Sequence, residues 1–128
     1  MEYESLGNFK YRIIKGFVIK TKMRPRNKIV GKFATLTTKG RLYIHKGFCW
    51  DGASGARDTK NIMKPSCCHD VGCAWYLAGL IDDELRGQFD DLFERLLDRQ
   101  VKKDKLSDFR RDYLVKAVKI NTKIRYGI

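Results

Sequence analysis

The chain has 128 residues, 27 Lys and Arg against 15 Asp and Glu, a net charge of +12, four cysteines and two prolines. That length suits one domain that buries an ordinary core without staples, and 43% hydrophobic residues exclude a disordered chain. No run of about 18 apolar residues offers a membrane span, and the first residues carry no secretory signal, so the cytoplasm is the expected location. Four cysteines there are expected as thiols rather than disulfides.

The charge is uneven: +10 over residues 1–50, −4 over 51–100 and +6 over 101–128. Phe9–Thr21 partly alternates and is rich in β-branched and aromatic residues, which predicts a strand bent at Gly16. Lys22–Ile29 is a basic loop broken by Pro25, and its Lys22, Arg24, Arg26 and Lys28 are candidates for contact with a phosphate or a partner. Gly31–Phe48 predicts a hairpin turning at Lys39–Gly40, with Phe33, Leu36, Leu42 and Ile44 as its apolar contacts. Asp51–Lys64 reads as a polar loop.

Pro65 suits the first turn of a helix that runs to about Leu80. Asp82, Asp83 and Glu84 open a second helix, with Leu85, Phe89, Leu92, Phe93, Leu96 and Leu97 as its stripe. Ser107 caps a third, with Phe109, Tyr113, Leu114, Ala117, Val118 and Ile124 inward. The expected fold is α+β and a single domain over residues 1–128. A basic part, 1–50, forms a small antiparallel sheet, 51–64 is a loop, and 65–128 is a helical part whose first two helices pair antiparallel.

The chemistry concentrates between Cys49 and Cys73, which hold all four cysteines and His69. His69, Gly72, Cys73 and Tyr76 share a helix face, and Gly72 implies that something packs close to the backbone there. Two ionic readings are open. Carboxylates in the acidic middle suit a bound cation. Alternatively Cys68, His69 and Cys73, with Cys49, supply thiolate and imidazole for Zn²⁺. A Cys68–His69 nucleophile pair is disfavoured because adjacent helical side chains diverge, and Ser54 lacks an elbow motif. Buried thiols acting as small hydrophobes are the plain alternative.

Gly47, Phe48, Asp51, Gly52, Ala53 and Ser54, then His69-Asp70, then Arg86, Asp90 and Phe93 resemble a family of short phage and prophage proteins of unknown function. The resemblance spans Gly47 to Leu97. The same layout is similar to bacterial phospholipase A2, in which a His-Asp pair on one helix faces an aspartate on a second. That likeness implies His69 as the general base, Asp90 as the carboxylate that orients it, and Asp91 as Asp90's rival for that place. It implies Ca²⁺ at Asp70, helped by loop oxygens of Trp50, Asp51 and Gly52. The implied function is metal-dependent hydrolysis of a lipid or other ester. A non-enzymatic protein that binds a host or virion protein, and a nucleic-acid binder using the basic surface, are the alternatives.

Overall fold

The computed structural model describes residues 1–52 and 59–126. Ala53 and Ser54 of the phage-like motif lie outside that set, as does the side chain of Ile124. The fold is α+β: two small antiparallel sheets come first and three helices follow. The strands are β1 (Glu2–Gly7), β2 (Lys10–Lys15), β3 (Phe17–Lys20), β4 (Ile29–Val30), β5 (Ala34–Leu36), β6 (Arg41–Ile44) and β7 (Cys49–Asp51). The helices are α1 (Lys60–Leu77), α2 (Asp83–Lys102) and α3 (Asp108–Tyr126).

The single bent strand expected over Phe9–Thr21 is two strands in two sheets. The chain breaks at Gly16; β2 joins a sheet ordered β1-β2-β7, and β3 joins one ordered β3-β6-β5-β4. The β5–β6 hairpin turns where expected, with Gly40 N–H donating to the Thr37 carbonyl at 3.0 Å. Leu36, Leu42 and Ile44 are buried, whereas Phe33 stays at the surface. Three strands escape pattern reading: β4, which begins inside the expected basic loop and pairs with β5, and the two that flank β2. β1 has few apolar residues and is held by pairing to β2 and by Tyr3 against the Tyr11 and Trp50 rings. β7 covers Trp50 and Asp51, which the sequence placed next to or within a loop.

α1 starts at Lys60, so Pro65 lies inside the helix rather than in its first turn. Proline there forfeits one i→i−4 bond. The earlier start is held by tertiary contacts: Ile62 is fully buried and the Asn61 amide donates to the Lys105 carbonyl. The helix stops at Leu77 rather than Leu80, because Gly79 adopts φ +75°, the left-handed geometry that ends helices. Asp82 caps α2 by accepting the Leu85 N–H at 2.8 Å, and Ser107 accepts the Arg110 N–H at 3.2 Å at the start of α3.

One apolar cluster joins both sheets to α1 and α2; a second, around Ile62, Phe93, Leu97, Leu106, Leu114 and Val115, joins α3. Phe109 and Tyr113, expected inward, are exposed, and Val115 is buried instead. Arg111 secures α3 to α2 through Asp98 and Glu94, at 2.7 Å each. No described helix is long and apolar enough to cross a membrane.

Candidate functional site

Two helices running in opposite directions build the site. Three pairs join them in turn: His69 to Asp90, Cys73 to Arg86, and Tyr76 to Asp83. Their close approach depends on Gly72, where an added Cβ would fall 2.5 Å from Phe89 Cγ. Phe89 is thus the group that packs on the backbone there.

His69 Nε2 lies 2.6 Å from Asp90 Oδ1, and Arg86 Nη1 donates to the same oxygen at 2.8 Å. Asp90 therefore holds the place for which Asp91 was the rival; Asp91 is exposed. Arg86 is fully buried, and its Nη2 reaches His69 Nε2 and Cys73 Sγ, both at 3.3 Å. With Nε2–H directed to Asp90, the other imidazole nitrogen faces Cys73, Nδ1 to Sγ being 3.8 Å. The Phe93 ring lies 5.3 Å from the imidazole and closes its other side.

Burial works against a charged His69, but the hydrogen bond to Asp90 and the adjoining Cys73 outweigh it, and the pKa rises to about 9. Burial would raise the Asp90 carboxyl, yet hydrogen bonds from His69 and Arg86 hold it below the usual carboxylate range. Burial pushes the Cys67 thiol far up and the Cys68 thiol up to about 12. Both sulfurs sit in the core, so the expected zinc set of Cys68 with Cys49 does not assemble.

The group that does assemble is His69, Asp70 and Cys73, whose ligand atoms lie within 4.8 Å of one another and could hold a metal ion. Of the expected loop oxygens, that of Trp50 is engaged elsewhere. Trp50 pairs with Tyr11 between ladder bonds Ile13 N–H to Phe48 O (2.9 Å) and Gly52 N–H to Phe9 O (3.1 Å). Its backbone groups therefore belong to the sheet, and its buried indole donates to Ser66 Oγ at 3.2 Å. Asp51 donates its N–H to Asp70 Oδ2 at 3.2 Å and is exposed.

His69, Asp70 and Cys73 form part of the wall of a cavity of about 380 Å³. Leu6, Phe48, Leu77, Phe93 and Val118 give it apolar walls, and Lys10, Asp51 and Gly52 also border it. The basic loop is elsewhere. Arg24 Nη1 donates to the Thr21 and Met23 carbonyls at 3.1 and 2.8 Å. Arg24, Arg26 and Lys28 border a recess shared with Asp82 and Glu84 at the start of α2, while Lys22 is exposed. Comparison with protein-family models, curated proteins and solved structures returns no match.

The raised His69 pKa makes stability depend on pH. Between 6.5 and about 9 the folded state holds a proton that the unfolded state has released, so stability falls as pH rises. In the presence of a chelator, the His69–Asp90 contribution is expected to be full near pH 5–6. It should fade by about pH 9, by on the order of 3 kcal/mol. Urea unfolding across that range checks this, and His69→Gln should flatten the alkaline limb.

Proposed function

We propose that this chain is a phage-encoded, metal-dependent hydrolase of ester substrates, its ion held by His69, Asp70 and Cys73. The observation that carries the reading is the convergence of these three donors on a cavity, with Asp90 behind the imidazole. A carboxylate accepting the far N–H of a ligand histidine is the usual support of such a site. One nitrogen, one carboxylate oxygen and one sulfur suit a zinc-class ion. Calcium wants six to eight oxygens, which favours zinc over the Ca²⁺ that the phospholipase likeness implies.

When bound, such an ion supplies Lewis acidity: it polarises a carbonyl and makes water acidic at neutral pH. The chain's own residues do the rest. Asp90 and Arg86 fix the imidazole so that Nδ1 is turned to Asp70 and Cys73. Leu6, Phe48, Leu77 and Phe93 receive an apolar acyl part, and Lys10 suits an anionic group beside it. That combination supports a lipid-like ester.

Thermal melts with Zn²⁺, Ca²⁺ and EDTA test the ion. At a thousandfold excess over Kd, zinc is expected to add about 4 kcal/mol, with calcium giving much less. Cys73→Ser and Asp70→Asn should each shrink the rise. No shift with zinc, or one unchanged in both variants, sinks the reading; turnover of a p-nitrophenyl ester that zinc raises above its level in EDTA then tests the activity.

The outer face of α3 favours a second reading, as a binder of a host or virion protein. Phe109, Tyr113 and Ile120 are 84%, 50% and 51% exposed, more apolar surface than solvent contact alone requires.

A further inference from the structure

The four cysteines differ sharply in surroundings. Cys67 and Cys68 are sealed in the core. Cys49 is exposed on β7, with its sulfur 3.5 Å from the Gly47 carbonyl, which can only accept. Cys73 lines the cavity, 3.8 Å from His69 Nδ1, and accepts a hydrogen bond from Arg86 Nη2 at 3.3 Å. His69 is held from behind by Asp90 at 2.6 Å. A sulfur, a nitrogen base within reach and a carboxylate orienting that base make the arrangement that activates a thiol nucleophile. Cys73 and His69 are four residues apart on α1, so one helix face fixes their approach.

We propose that Cys73 is a covalent nucleophile in the metal-free protein and takes the acyl group of an activated ester or thioester. As Sγ bonds to the carbonyl carbon, the one proton between Sγ and Nδ1 ends on His69 Nδ1. The bond to the leaving group then breaks, and that group departs with the proton as an alcohol or thiol. Water, deprotonated by Nδ1, attacks the Cys73 thioester; the carbon–sulfur bond breaks, the acid is released and the sulfur regains its proton. The inference rests on the ester-hydrolase reading for its cavity and substrate class, but not on the ion.

The test uses the full chain in EDTA with p-nitrophenyl acetate. A stoichiometric burst of p-nitrophenolate is expected, with the acetyl group mapped to Cys73 by mass spectrometry. Cys73→Ser should lose the burst, Cys49→Ala should keep it, and His69→Gln should slow it by about 10²–10⁴-fold. Peptide mapping of the wild type stands even where a variant fails to fold. Acetylation favouring Cys49, or none at Cys73, overturns the inference. Zinc stabilisation without acylation of the metal-free protein leaves the metal reading and removes this one. Acylation at Cys73 with no response to zinc does the reverse.

Discussion

Asp90→Ala is expected to lower the unfolding free energy by about 3–5 kcal/mol. For a domain of this size that is roughly 10–20 °C in Tm. The cost comes from what remains. Arg86 is fully buried and donates to Asp90 Oδ1 at 2.8 Å, and His69 shares that oxygen at 2.6 Å. Removing the carboxylate leaves a guanidinium in the core without its counter-charge. Asp90→Asn, which keeps the shape, should cost less. Arg86→Met combined with Asp90→Asn should cost less than the two single losses added together, because the double variant buries no lone charge. Urea unfolding at pH 6 of the wild type, the three single variants and the double variant measures this. A loss below about 1 kcal/mol for Asp90→Ala would mean that the cluster behaves as a surface ion pair.

The second large effect is expected at Gly72. Alanine is normally the better helix former by about 1 kcal/mol. Here its Cβ would lie 2.5 Å from Phe89 Cγ and 2.6 Å from Phe89 Cβ. The second of those atoms is fixed to the α2 backbone and cannot swing aside. Gly72→Ala is therefore expected to destabilise by about 1–3 kcal/mol through overpacking, and Gly72→Val by more. Phe89→Ala, which empties the seam, should cost about 3–5 kcal/mol. It should not rescue Gly72→Ala, because the alanine at 89 retains the offending Cβ. A neutral or stabilising Gly72→Ala would contradict the close approach of α1 and α2. Because the same seam spaces His69 from Asp90, Gly72→Ala should also weaken the zinc response.

The helical half was largely legible. The apolar stripe of α2, its acidic opening and the Ser107 cap are short-range signals, and tertiary contacts agree with them. The choice between Asp90 and Asp91 stays open in the sequence, and the signal that favours Asp90 is its spacing. Asp90 is four residues after Arg86 and three before Phe93, and all three share one helix face. The buried guanidinium was harder to see, since an arginine counts as polar in any hydropathy pattern. Its signal was the spacing of four to an aspartate beside a phenylalanine stripe. The β half was read less well. β1 and β7 owe their existence to pairing with β2, a contact that no local pattern records. The split at Gly16 assigns one apolar run to two sheets. At the site, the phospholipase likeness points to oxygens of Trp50, Asp51 and Gly52, while the zinc alternative groups His69 with Cys73 but adds Cys68 and Cys49 where the structure offers Asp70.

The cavity draws on two unlike sources. His69, Asp70 and Cys73 stand on α1, steadied by Arg86 and Asp90 of α2. Leu6, Lys10, Phe48 and Trp50 come from the strands and the approach to β7, and Ala117 and Val118 from α3. On the proposed hydrolase reading, much of the selectivity is thereby encoded outside the stretch that carries the reactivity, with Leu77 and Phe93 of the helix pair as the exceptions. Substitution along β1, β2 or the outer turns of α3 can retune which molecule fits without disturbing the helix pair. Descendants of such a scaffold can diverge in what they recognise while inheriting one unaltered helix pairing.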